Sequence, residues 1–257
     1  MKWRFIPITA YLVLIYSFFY LPLLLLIAYS FNKSQYSLLW QGFSWHWYQE
    51  LCTDSGLWTA AWHSLLLGVS AASIATIIAL LAVVSFYLYR FWGRSFQYSL
   101  IFLLLLSPDI VMGISLLILF NFVGLSLGFW SLLCAHISLC LPFAIATIYG
   151  RIVSFTPDII EAAKNLGAND FRIFHQIILP LLWSAIVAAW LLSFTLSLDD
   201  IIVSYFISGP EFEILSLRIY SMTRLGVTPT INALCTVTFA LSLLLVLLAQ
   251  FMLRKRP

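Results

Sequence analysis

The sequence predicts an all-α polytopic membrane protein with six transmembrane helices, and two observations carry that prediction. The first is composition: of 257 residues, 63% are hydrophobic and only 9% charged, and mean hydropathy is +1.02. Soluble chains carry roughly a quarter charged residues, so these few cannot clothe a globule of this size in water. The second is segmentation into long uncharged runs, each able to supply the ~20 apolar residues that cross a bilayer. Lipid offers backbone groups no partner outside a helix or a closed barrel, and runs of this length read as helices. A secreted enzyme, a coiled coil and a disordered tail are excluded.

The six runs lie near 8–31, 62–88, 97–120, 129–149, 181–205 and 231–253. The first follows the basic start MKWR and is free of charge from Phe5 to Asn32. It is longer than a secretory signal and lacks a small-residue cleavage site, so it reads as a retained span. The third contains Pro108, Asp109 and Gly113, and the fifth contains the adjacent pair Asp199 and Asp200. The four cysteines, Cys52, Cys134, Cys140 and Cys235, follow no ligand spacing or disulfide framework and read as packing residues.

An even number of spans places both termini on one side. Lys2, Arg4, Arg90, Arg94, Arg151, Lys164, Arg172, Arg254, Lys255 and Arg256 then share a face, leaving Lys33, Arg218 and Arg224 on the other. Ten against three makes the termini cytoplasmic by the positive-inside rule. Acids divide in the opposite sense. Asp158, Glu161 and Asp170 fall inside, while Glu50, Asp54, Asp109, Asp199, Asp200, Glu211 and Glu213 fall outside or in outward parts of spans. The outer side is net negative and attracts cations.

The long polar segment on the inner side runs TPDIIEAAKNLGANDFRIFHQIILP, from Thr156 to Pro180. Thr156 can cap a helix beginning at Pro157 and Asp158, and Gly167 tolerates left-handed geometry at its end. A second short helix is expected from about Asn169 towards Pro180. Helices of about ten residues are marginal in water, so the first needs a surface to pack on. Ile159, Ile160 and Ala163 offer an apolar edge, with Glu161 and Lys164 beside it.

Glu161, Ala162, Ala163, Gly167, Ile177, Leu179 and Pro180 stand at the spacing of the EAA loop, and the segment resembles that loop of ABC importer permeases. The resemblance implies that its short helix docks in a groove of a cytoplasmic ATPase subunit, with Asp170 in the same coupling segment. Further stretches carry the likeness along nearly the whole chain: WQGFSWHWY (40–48), SPDIVMGISLLILF (107–120), LGFWSLL (127–133), LSFTLSLDDIIVSYFISGP (192–210) and RIYSMTRLGVTPTINAL (218–234). They look like the C-type permease subunits of spermidine/putrescine importers, from which the chain departs at Ser216, where those subunits carry proline. What the resemblance implies is a type-I ABC importer permease, one domain over 1–257 with its coupling loop at 156–180, in a bacterial inner membrane. It further implies a homologous second permease, two ATP-binding subunits and an extracytoplasmic polyamine-binding protein as partners, with no nucleic acid. The chain has no GxxxxGK[ST] phosphate loop, so no cofactor is expected on it, and ATP and Mg belong to the partner ATPase.

The candidate route residues also suit a polyamine chemically. A carboxylate at the centre of a span costs roughly +2.5 to +3.5 kcal/mol even on insertion scales, which marks Asp109 as functional. Pro108 removes a backbone donor and Gly113 loosens the helix, together opening a bend. Asp199 and Asp200 are adjacent like charges whose repulsion a polyamine's ammonium groups would relieve, and on one helix they would point about 100° apart. Ser197 adds a hydroxyl acceptor or serves as a helix-packing residue. Trp47, in the outer loop with Trp45, His46 and Tyr48, can attract ammonium through its indole face, while an interfacial aromatic belt accounts for Trp45 and Tyr48. His63, His136 and His175 show no pairing spacing and read as structural.

Other readings differ in class. A permease for sulfate or molybdate would favour basic residues or helix N-termini along its path, and one for ferric iron would show metal-ligand spacing. A sugar permease remains open on these grounds. An ion-coupled transporter could use the three aspartates as a relay, but has no need of an EAA loop. An intramembrane aspartyl protease could share a proton between two carboxylates, yet the GxGD-type context is missing.

Overall fold

The computed structural model describes residues 6–34, 39–89, 91–155, 158–224, 226 and 228–254. Among them the named elements are helices: α1 Ile6–Tyr29, α2 His46–Thr53, α3 Ser55–Leu88, α4 Arg94–Leu106, α5 Asp109–Val123, α6 Phe129–Ile152, α7 Asp158–Asn165, α8 Asp170–Ile173, a π turn Phe174–Ile178, α9 Leu179–Asp199, α10 Ile202–Ile207, α11 Leu215–Arg224 and α12 Pro229–Arg254. Lone antiparallel bridging of Asn32 with Phe43 is the β pairing seen among these residues. Thr156, expected to cap α7, and Pro157 lie outside the described residues, as do Lys2, Arg4, Arg90, Lys255 and Arg256.

Four stretches are long and apolar enough to cross a membrane: Ala10–Tyr29, Ser55–Leu88, Phe129–Ile152 and Asp170–Asp199. A fifth is counted if α4 and α5 form one broken span, and Pro229–Leu244 of α12 is a shorter apolar helix. Two expectations are corrected. The third run is not one helix over 97–120, because α4 and α5 are bent by 113° about Ser107 and Pro108. Proline disfavours the helical conformation of the residue before it. Ser107 is accordingly extended (ψ 130°), as is Pro108 (ψ 134°). The fifth run is not 181–205, since a continuous helical stretch begins at Asp170 and ends at Asp199. Pro180 lacks the N–H that an α-helix requires. A π turn precedes it, the Leu179 N–H reaching back to the Phe174 carbonyl, and the wider turn carries the helix past the proline without breaking it.

The chain divides into two compact units, Met1–Trp58 with Ile219–Pro257, and Thr59–Arg218. In the first, α12 packs against α1 and α2. In the second, α6 lies along α9, and α10 packs on α5 and α6. Lipid cannot drive these helices together, so small residues that permit close approach carry the packing. Ala71, Ala72, Ala75 and Ala79 form a fully buried stripe on α3. A β-carbon on Gly68 would lie 3.1 Å from the Phe194 ring of α9. The core continues through Val83, Ile145, Ile148, Ile152, Ile178 and Leu182 to Ala163 of α7, joining the short polar-loop helix to the spans.

Candidate functional site

The break between α9 and α10 organises the polar groups within the second unit. Asp199 ends α9 and is exposed, whereas Asp200 adopts an extended conformation (ψ 125°) and is only 9% exposed. The pair expected on one helix is therefore divided by a change of backbone direction. Asp200 Oδ1 accepts the Val203 N–H at 3.2 Å, and Oδ2 accepts the Ser204 N–H at 2.8 Å and the Ser204 hydroxyl at 2.7 Å. These bonds satisfy orphan donors in the first turn of α10. The Asp200 carbonyl accepts from Ser216 Oγ at 2.8 Å, a donor proline could not supply.

His136 of α6, fully buried, completes the cluster. Its Nδ1 lies 2.7 Å from Ser197 Oγ, its Nε2 lies 2.9 Å from Ser204 Oγ, and Nε2 is 3.7 Å from Asp200 Oδ2. A serine hydroxyl has one hydrogen. That of Ser204 goes to the carboxylate, so Nε2–H donates to Ser204, and Nδ1 pairs with the Ser197 hydroxyl. Every polar atom of this directed chain is paired, as a buried network requires.

Asp109 opens α5 immediately after Pro108 and is exposed. It occupies a helix first turn, where the helix dipole favours a carboxylate, rather than the middle of a continuous span. Gly113, one turn on, is a crossing point and not a loosening: its β-carbon would meet the Phe206 ring at 2.9 Å and the Val203 Cα at 3.3 Å. Asp109 and Asp199 thus flank helices that pack on each other. Gly209 makes a still closer approach, with a β-carbon falling 2.3 Å from the Leu127 carbonyl oxygen. That contact seats the loop after α10 on the start of α6.

Trp47 belongs to the other unit. Half-buried in α2, it donates its indole N–H to the Asn32 carbonyl at 2.6 Å. Beside it, Phe31 packs its ring against Phe43, Trp45 and Tyr48 at centroid distances of 5.1, 4.9 and 5.0 Å. Trp45 and Tyr48 therefore build a local aromatic cluster.

The polar loop bends where expected. Gly167 has φ +82°, the Ala168 N–H bonds the Ala163 carbonyl at 3.0 Å and the Gly167 N–H bonds the Lys164 carbonyl at 2.9 Å, the paired pattern of a Schellman stop. Asn169 Oδ1 then caps α8 through the Arg172 N–H at 2.9 Å. Ala163 and Ile160 face the core, while Ile159, expected on that edge, is exposed together with Glu161 and Ala162. Ile177 and Phe174 pack against the core, Leu179 is half-buried and Pro180 exposed. Asp170 joins the two arms: Lys164 Nζ lies 3.8 Å from Oδ1, and the Tyr89 hydroxyl donates to Oδ2 at 2.9 Å. The carboxylate holds the Tyr89 phenol above its usual pKa, chiefly through this hydrogen bond.

Sequence reasoning missed His136 and Ser204 as partners of the aspartate pair. The imidazole lies 61 residues from one serine and 68 from the other, so no local spacing could reveal them.

Comparison with known proteins decides the family. Residues 74–257 match the family described as binding-protein-dependent transport system inner membrane component. The chain belongs to this family. Among family members, the spermidine/putrescine transport system permease protein PotC of Haemophilus influenzae is 48% identical over 252 residues, covering 98% of each chain. The putrescine transport system permease protein PotI of Escherichia coli K12 is 37% identical over 233 residues, covering 88% of this chain and 83% of its own. A crystallised bacterial ABC transporter that imports the acidic polysaccharide alginate has a chain of similar fold, with TM-score 0.76 at 16% identity, covering 97% of this chain and 95% of that one. At that identity the likeness is one of fold, and a fold does not fix cargo.

Proposed function

We propose that this chain is the permease subunit of an ATP-driven importer that moves spermidine or putrescine across the bacterial inner membrane. The observation that carries this reading is the 48% identity to a spermidine/putrescine permease over 98% of both chains. Chemistry supports it, since Asp109 and Asp199 are exposed carboxylates on the packed α5–α10 region, suited to ammonium groups and not to oxyanions. On this reading Asp109 and Asp199 line the cation route, Ser197 and Asp200 belong to the wall behind it, and Trp47 guides amines by its indole face. The broken α4–α5 pair and α12 complete six spans, with both termini cytoplasmic.

A homologous permease, two ATP-binding subunits and an extracytoplasmic polyamine-binding protein complete the assembly, and ATP with Mg is used by the ATP-binding subunits. Glu161, Ala162 and Gly167 form the face offered to the ATPase, while Ala163, Asp170, Ile177, Leu179 and Pro180 fasten that face to the spans. Inside-negative potential favours cations by about 2.3 kcal/mol per charge per 100 mV, so an open pore would leak. ATP closure therefore serves to time the opening of the pathway. Uptake of labelled spermidine and putrescine into vesicles holding the assembly tests the reading. ATP-dependent uptake of either amine is expected; uptake of both at the same rate without ATP would contradict it.

A further inference from the structure

The sequence at the α9–α10 break, SLDDIIVS, contains neither proline nor glycine. Helix breaks of this kind have identifiable causes, and in their absence an inserted side chain or competing hydrogen bonds must hold the bend. An apolar run continues on the far side from Ile201 to Ile207, and nothing in it opposes one unbroken helix. Here the competing bonds come from Asp200, and a buried imidazole of a third helix spans the gap. Through His136, Ser197 before the break is joined to Ser204 beyond it, at 2.7 and 2.9 Å.

We propose that His136 is a positioning residue for translocation: by bridging Ser197 and Ser204 it holds the α9–α10 break open and thereby presents Asp199 to the cation route. This rests on the proposed role of Asp199 in that route. Asp200 and Ser197 then act through the bridge, with their side-chain polar atoms turned inward and engaged, and not as ligands of the cargo. Loss of the imidazole leaves the buried Ser197 hydroxyl without this partner, where unpaired polar groups are costly, and leaves Ser204 held by Asp200 alone. With the bridge gone, the bonds from Asp200 to the first turn of α10 are left to hold the break alone. A break held less firmly lets the chain at Asp199 and Asp200 shift, which carries Asp199 off its present face.

The test uses the whole assembly in vesicles, with His136→Ala, His136→Gln, Ser204→Ala and Asp199→Asn made in this subunit. His136→Ala is expected to lower uptake about tenfold, the scale of a lost buried hydrogen bond, without loss of the ATPase subunits. Glutamine, whose amide both donates and accepts, is expected to restore most of that loss. Combining His136→Ala with Asp199→Asn should be no worse than Asp199→Asn alone, because both act at one point. A cargo-independent readout is the labelling of Asp199→Cys by a membrane-impermeant thiol reagent, resolved by mass spectrometry, which should fall in the His136→Ala background and recover with glutamine. If His136→Ala fails to assemble, Ser204→Ala, which removes one hydroxyl, decides by the same labelling. Unchanged labelling of Cys at 199, or losses that multiply in the double variant, would overturn the proposal. Absence of amine uptake by the unaltered assembly, with labelling still responsive to His136, would instead overturn the polyamine reading and leave this one standing.

Discussion

A β-carbon added to Gly113 would lie 2.9 Å from Cδ2 of Phe206 and 3.3 Å from the Cα of Val203. α5 therefore meets α10 backbone to backbone, and this contact fixes the helix that Asp109 begins. Gly113→Val should force the helices apart, at a cost of about 1–3 kcal/mol for overpacking. Thermal unfolding of the assembly in detergent checks this, and an unaltered midpoint would show the contact to be slack.

Gly209 provides a sharper comparison, because the obstruction to its β-carbon is the Leu127 backbone carbonyl at 2.3 Å rather than a ring that can turn. Gly209→Ala should lower the unfolding midpoint more than Gly113→Ala does. Equal midpoints would mean that the loop after α10 shifts freely.

Asp199 and Asp200 should separate by experiment although they are neighbours. Asp199→Asn removes a charge at an exposed position, so uptake should fall with little change in unfolding. Asp200→Asn weakens a buried cap that accepts three hydrogen bonds. It should lower both uptake and stability, by about 1 kcal/mol, the typical worth of a helix cap. Identical profiles for the two variants would count against the division drawn at the break.

The polar loop presents two different alanines. Ala162 is exposed, whereas Ala163 is 8% exposed within the core. Glu161→Lys, altering the exposed face, should release or uncouple the ATPase and leave the permease folded. Ala163→Leu should destabilise the permease itself. Co-purification of the ATPase alongside unfolding of the permease alone separates these outcomes, and an ATPase retained with normal coupled uptake in Glu161→Lys would remove α7 from the docking surface.

The brace between Tyr89 and Asp170 predicts a pH response. Because the bond raises the phenol's pKa above its ordinary 10.0 in the folded protein, its contribution is fully present below pH 10.0 and is lost as pH rises through the higher folded value. The titration of Tyr89 should therefore leave ATP-coupled uptake unchanged across neutral pH. Spectroscopic titration of Tyr89 should move to lower pH in Asp170→Asn, and an unmoved titration would deny the bond.

Much of this was legible in the sequence because lipid and backbone geometry impose local rules. Apolar runs located the long helices, and Gly167 marked the loop's bend since a left-handed stop needs a residue without a side chain. Other features depend on tertiary partners. The continuous apolar pattern around Asp200 conceals a break held from α6 by His136. Pro108 announced a bend, but the packing of Gly113 on Phe206 required the partner helix to be seen. Ile159 and Ile160 look alike in sequence, and only the position of the α3–α6–α9 core buries one and leaves the other outside.

The central claim is that acidic groups in a membrane path serve amines while a bent cytoplasmic loop couples them to ATP. Its most direct test measures ATP hydrolysis by the full reconstituted assembly in the presence of the receptor loaded with spermidine, loaded with putrescine, or empty. The account predicts stimulation by at least one loaded form over the empty one, accompanied by amine uptake and abolished by Glu161→Lys. Equal hydrolysis with loaded and empty receptor, or stimulation by an unrelated anion receptor, would contradict it.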